Sequence, residues 1–189
     1  MPSSGLLEWD ERHRTATERD AAAALPLVIE IASQMKPSGG KPGRALDLAC
    51  GAGRNALWLA EHGWSVTAVD GSPAAIETVR KRASARGVNV NAQVADLEKG
   101  EYAIEASQWD LVIISYYLQR DLFEPAKCGV VPGGVVAAIV LVGEGRFCAT
   151  PGELRGYFTG WEILYDREGD GGDSSHAVAE IVARRPQSF

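Results

Sequence analysis

The sequence predicts a doubly wound α/β fold with a mostly parallel sheet of seven strands, helices on both faces and a C-terminal antiparallel hairpin. Three observations carry this. Buried strand patterns alternate with helical ones from residue 45 to residue 142. The first strand runs through the glycine turn Gly51-Ala-Gly53 directly into a helix, whose first N–H groups are left unpaired. The first two strands each bring an acid, Asp47 and Asp70, to their ends, which marks the crevice at the carboxyl edge of an open α/β sheet.

Each element follows from local residue choice. Glu18 to Met35 reads as a helix of mixed polarity, closed by the turn-rich Lys36-Pro-Ser-Gly-Gly-Lys-Pro-Gly43. Ala45 to Leu48 is strand one. Asn55 to His62 is the first crossover helix, with Leu57, Trp58 and Leu59 as its apolar contacts and His62, before Gly63, serving its C-terminus. Ser65 to Val69 is strand two. Ser72 caps the next helix and Pro73 fits its first turn, and the helix runs to about Arg86. Val88 to Ala95 is strand three and Trp109 to Ser115 a fully buried strand four. Gly134 to Val142 is strand five, after a Pro132-Gly-Gly turn. Pro151 to Phe158 is then a short helix. Trp161 to Tyr165 and His176 to Arg184 pair across a glycine-rich loop as the hairpin.

Composition narrows the function classes. At 189 residues, the expectation is a single domain spanning 1–189. Nineteen basic against 25 acidic side chains leave a net charge of −6, which disfavours nucleic acid and anionic membrane as partners. Arg80-Lys-Arg82 with Arg86 reads as a solvated helix face. The start resembles no signal peptide and no apolar run spans a bilayer, so a cytoplasmic location is expected. Cys50, Cys128 and Cys148 are scattered without Cys-x-x-Cys spacing, and the three histidines are equally dispersed. Neither a disulfide framework nor a metal site is expected.

Several stretches, in order, resemble the cofactor motifs of class I S-adenosylmethionine-dependent methyltransferases. They are Asp47-Leu-Ala-Cys-Gly-Ala-Gly-Arg54, Asp70 closing strand two, Ala95-Asp96-Leu97 after strand three, and strand four ending at Ser115. The ending Pro151-Gly-Glu-Leu-Arg-Gly-Tyr-Phe158, with Gly160-Trp161-Glu162, a last strand ending in Ala-Arg-Arg185 and Gly51-Ala-Gly-Arg-Asn-Ala56, is similar to the tellurite-resistance-type branch. The resemblance implies a Rossmann-like sheet and S-adenosyl-L-methionine as cofactor; the acidic net charge leaves a small-molecule methyl acceptor, with a thiol or chalcogen suited to a site lacking an evident base.

The residue chemistry agrees with that implication. Adenosylmethionine offers an ammonium, two ribose hydroxyls and an adenine. Asp47 suits the ammonium, while the backbone at Ala49, Cys50, Gly51 and Gly53 packs against the methionyl and ribose portions. Asp70, with Gly71 and Ser72, is placed for the ribose hydroxyls. Asp96 and the Leu97 N–H are placed for the adenine, as the resemblance also implies. Ala49 departs from the family, where many members have glycine. Ser115, also read as a cofactor contact, and Tyr116 and Tyr117 are expected on the acceptor side, together with Trp9-Asp-Glu-Arg-His13. In that stretch, Trp9 and Arg12 are read as cofactor contacts and His13 as an acceptor-side candidate. Residues 1–17 resemble the family's lid. No obligate catalytic residue stands out.

Two other readings compete. The run Gly51 to Ala56 also satisfies G-x-G-x-x-G/A, so an NAD(P)-binding Rossmann oxidoreductase is the rival enzyme. Asp47 tells against it, because a carboxylate there would face a pyrophosphate. A non-catalytic adenosylmethionine-binding module is the third.

Overall fold

The computed structural model describes residues 10–11, 23–35, 43–170 and 177–187. The chain forms two compact units, 1–103 and 104–189.

In the first unit, α1 (Pro26–Gln34) is followed by β1 (Arg44–Leu48), α2 (Arg54–Glu61), β2 (Ser65–Asp70), α3 (Pro73–Arg86) and β3 (Val90–Val94), with a 3-10 turn at Leu97–Lys99. The strands run parallel in the order β3-β2-β1, so Asp47 lies beside Ala68, and Asp70 beside Val94. Ala45, Leu46 and Leu48 of β1 are fully buried, as are Ala56 and Leu59 of α2 and Ala75, Ile76 and Val79 of α3. Two-sided burial is why β1 is almost continuously apolar. His62 closes α2 as expected: its Nδ1 lies 2.7 Å from the Trp58 carbonyl and its ring stacks on Trp58 at 3.8 Å.

One helix boundary is corrected. The first helix was expected from Glu18, yet residues 23–25 are not helical and the helix starts at Pro26. Proline fits the first helical position and drives the preceding residue toward extended backbone, and Leu25 has ψ 133°. The Leu25 N–H instead donates to Oδ1 of buried Asn55, 3.0 Å away.

In the second unit, β4 (Trp109–Ser115) pairs parallel with β5 (Val130–Val142), which pairs antiparallel with β8 (Ala177–Arg184). The hairpin is present: β7 (Glu162–Asp170) runs antiparallel to β8. Here α4 (Phe123–Gly129), α5 (Glu153–Gly156) and the two-residue β6 (Cys148–Ala149) complete the elements. The described residues thus hold eight strands, β6 being too short for a periodic signal.

The expected Pro132-Gly-Gly turn is also corrected, since it lies inside β5. The Gly133 N–H donates to the Arg185 carbonyl and the Arg185 N–H to the Gly134 carbonyl. The irregularity is absorbed as a register jump between Trp109 beside Val130 and Leu111 beside Val135. Among the described residues no helix is long and apolar enough to cross a membrane, and no His, Cys, Asp and Glu cluster has metal-ligand geometry. The three cysteines are free thiols.

Candidate functional site

The turn after β1 is held in an alternating backbone conformation. Ala49, Gly51 and Gly53 have φ of 53°, 53° and 81°, all left-handed. At Gly53 a side chain is excluded twice, because a Cβ would also lie 2.7 Å from Cγ2 of Val79 on α3. Ala49 occupies the same conformation with a methyl group, which explains why glycine is the expected residue there and costs about 1–2 kcal/mol of strain. The Cys50 N–H straps the turn to β2 through the Val69 carbonyl at 3.1 Å.

Asp70 ties this turn to the one after β2. Its Oδ2 accepts from the Gly51 N–H and its Oδ1 from the Ser72 N–H, each at 2.8 Å. Gly71 is the link between them. Ser72 is fully buried, and its Oγ accepts from the Ala75 N–H, capping α3 as expected.

Asp47 behaves differently. It is fully buried, and among the described residues neither oxygen meets a donor with hydrogen-bond geometry. Burial raises its pKa from 3.8 to about 7, against lowering by the Ala56 N–H and the Arg54 charge and with a further rise from Asp70. A buried carboxylate without a donor is costly, and a ligand ammonium is the kind of group that relieves it. Asp47 therefore fits the aminoacyl end of adenosylmethionine.

Asp96, after β3, caps the 3-10 turn. Its Oδ1 accepts from the Glu98 N–H at 3.1 Å and its Oδ2 lies 2.8 Å from Lys99 Nζ. Burial raises its pKa, but the Lys99 ammonium and the N–H groups of Glu98 and Lys99 outweigh that and hold the carboxyl below its usual range. The neighbouring Leu97 is buried. Thus Asp47, Ala49, Cys50, Gly51, Gly53, Asp70, Gly71, Ser72, Asp96 and Leu97 gather at the carboxyl ends of three adjacent parallel strands.

In the second unit, Ser115 ends β4 and is half-buried. Tyr116 follows with φ 56° and is 38% exposed, a strained position for a large side chain. The Tyr117 hydroxyl donates to Gln119 at 2.8 Å, and its ring stacks on Phe147 at 5.8 Å. Phe158 is core, edge-on to Phe123. Trp9, Arg12, His13 and the lid expected over residues 1–17 lie outside the described residues, apart from Asp10 and Glu11.

Asp10 lies in the Trp9–His13 stretch expected on the acceptor side, where the sequence gives it no role of its own. It is 9% exposed, and its Oδ1 accepts from Ser72 Oγ at 2.6 Å and from the Ala74 N–H at 3.2 Å. Only its place among charged neighbours was visible in the sequence, and a contact across 62 residues leaves no local pattern.

Residues 45–130 match the family model described as Methyltransferase domain. The chain is 28% identical over 142 residues to Hemagglutinin 1 of Eikenella corrodens, covering 69% of this chain and 47% of that protein. It is 40% identical over 58 residues to Ribosomal RNA small subunit methyltransferase C of Alcanivorax borkumensis, covering 31% of this chain and 18% of that protein. The chain spans less than half the length of these curated relatives. TehB from Haemophilus influenzae superposes with a TM-score of 0.70 at 21% identity, over 90% of this chain and 63% of that one. Phosphoethanolamine N-methyltransferase 2 of Haemonchus contortus, solved with phosphomonomethylethanolamine and S-adenosylhomocysteine, gives a TM-score of 0.67 at 18% identity, over 85% and 52%. At such identities the structures speak for the fold. Residues 45–130 thus match a methyltransferase-domain model, and the described residues share the mixed α/β, Rossmann-like fold of these methyltransferase structures, mostly parallel with a C-terminal antiparallel pair.

Proposed function

We propose that the chain is an S-adenosylmethionine-dependent methyltransferase acting on a small-molecule acceptor, with a thiol or chalcogen as the first class to try. The single observation that carries the cofactor reading is Asp47, buried in the glycine turn without a hydrogen-bond donor among the described residues. An ammonium arriving there gains a charge-assisted partner and removes the penalty of an isolated carboxylate.

When bound, S-adenosylmethionine supplies a methyl group already activated on a sulfonium, so transfer depends on in-line approach and a dry site. The chain's own residues serve those needs. Asp47 orients the aminoacyl end. Asp70 keeps its two backbone N–H partners and still has lone pairs for ribose hydroxyls, because each carboxylate oxygen accepts twice. Asp96 and the Leu97 N–H address the adenine, and Ser115, Tyr116 and Tyr117 belong to the acceptor side.

A soft sulfur or chalcogen nucleophile needs no base to attack. The net charge of −6 weighs against an RNA acceptor of the kind named for the Alcanivorax relative. The finer placement in the tellurite-resistance-type branch draws support from the residue 151–185 pattern and the likeness to TehB.

Calorimetric titration with S-adenosylhomocysteine and NADH tests the cofactor, and a panel of thiol, chalcogen, amine and hydroxyl acceptors tests the reaction. Adenosylhomocysteine should bind and NADH should not. NADH binding without an adenosylhomocysteine signal would falsify the reading. Cofactor binding with no transfer to any acceptor class would leave a binding module in place of an enzyme.

A further inference from the structure

We infer that Asp10 is a positioning residue for the cofactor site, acting through Ser72 on the Asp70 carboxylate. The inference rests on the adenosylmethionine reading above. One run of hydrogen bonds joins the three residues. Asp10 Oδ1 accepts from the Ser72 hydroxyl at 2.6 Å, the Ser72 N–H donates to Asp70 Oδ1 at 2.8 Å, and Asp70 Oδ2 accepts from the Gly51 N–H at 2.8 Å. The first end of this run is the N-terminal segment, and the other is the turn that surrounds Asp47.

Burial makes the run consequential. Ser72 is fully buried and Asp10 is 9% exposed, so water does not readily replace either partner. The Ser72 hydroxyl has one proton. With Asp10 taking it, a lone pair points at the Ala75 N–H and the cap geometry is fixed. The start of α3 leaves more than one N–H unpaired; Ser72 Oγ takes that of Ala75, and Asp10 takes that of Ala74 at 3.2 Å. Asp10 therefore shares the cap with Ser72 and, in addition, holds the Ser72 hydroxyl. It fixes the 70–72 backbone, and this backbone sets where the Asp70 oxygens point. Without Asp10, Ser72 loses its acceptor and Asp70 loses a rigid N–H partner, though no group that touches the cofactor has been removed.

The test is a double-mutant cycle on S-adenosylhomocysteine affinity, read by calorimetry, with a thermal melt of each unliganded variant. The variants are Asp10→Ala, Asp10→Asn, Asp70→Ala and Asp10→Ala with Asp70→Ala. Asp10→Ala should weaken adenosylhomocysteine roughly 10-fold. Asp10→Asn, which keeps an oxygen to accept the Ser72 proton, should recover most of that loss. In the Asp70→Ala background, Asp10→Ala should change affinity no further, because its route to the ligand is already gone. An Asp10→Ala affinity within about twofold of the parent, whatever its melting temperature, overturns the inference and leaves Asp10 as an anchor. Independent, multiplying effects of the two substitutions overturn it as well. If the parent itself fails to bind, the cofactor reading falls and takes the inference with it; a parent that binds beside an indifferent Asp10→Ala removes the inference alone.

Discussion

Asp47 in the first unit and Glu153 in the second are both shielded carboxylates, but they titrate in opposite directions. Around Glu153, Oε1 accepts from Arg120 Nε at 2.8 Å and from the Tyr157 hydroxyl at 2.7 Å. Its Oε2 accepts from Arg120 Nη2 at 3.1 Å and from the Thr150 N–H and hydroxyl at 2.9 and 3.1 Å. Burial raises the Glu153 pKa, but these donors outweigh it and bring the carboxyl down to about 2. Tyr157 is pushed up to about 12, by burial first and by Glu153 next. Asp47 has the burial without such donors and stands at about 7. Depth of burial and donor supply together decide the sign. A carboxylate whose donors come from its own chain stabilises a loop, and one left without them is suited to a partner from outside.

The largest expected effect belongs to Asp47→Asn. The folded pKa of about 7 lies above the unfolded 3.8, so the stability this group contributes is complete below about pH 4 and is lost as pH rises through 7. Removing the charge should stabilise the unliganded protein by about 3–4 kcal/mol near pH 8 and by almost nothing near pH 4, as read from urea melts. Adenosylhomocysteine affinity should fall by about 100-fold. A variant no more stable than the parent near pH 8 would break the contrast with Glu153.

Glu153→Ala should run the other way. The folded value of about 2 lies below the unfolded 4.5, so its contribution is present above about pH 4.5 and is lost as pH falls through 2. Arg120 is half exposed, which discounts the ion pair, and the expected loss is about 2–3 kcal/mol at neutral pH. The gap between variant and parent should narrow in acid.

Two turn substitutions sharpen the comparison by testing the frame that holds Asp47. Gly53→Ala combines a left-handed φ of 81° with a 2.7 Å clash on Val79 and should cost about 2 kcal/mol in a denaturation curve. Ala49→Gly should gain about 0.5–1 kcal/mol, the relief of a left-handed alanine less the added chain entropy, and raise the melting temperature by roughly 1–4 °C.

Sequence legibility followed the range of the interactions. The Ser72 cap, the β1 turn and the Asp47, Asp70 and Asp96 strand ends were readable because each is written in a few consecutive residues. The start of α1 was misplaced because the apolar pattern upstream looked helical, while Pro26 imposed its own boundary. Pro132 was read as a turn because its pairing with Arg185 lies far along the chain. Asp10 is the same lesson inside the site: its partner is 62 residues away, and an acid among charged neighbours carries no mark of burial.

The charge pattern around Asp47 also governs the chemistry of its neighbour Cys50. That thiol is buried in the turn, and burial, followed by the Asp47 and Asp70 charges, lifts its pKa well above the ordinary thiol range. Little thiolate exists there to react, so alkylating reagents and peroxide should modify the exposed Cys128 first. Held as a buried, protonated thiol, Cys50 lets the turn resist oxidative damage without giving up its cysteine. Slow alkylation of Cys50 would then act as an internal clock, recording how often the strand ends part far enough to admit a reagent.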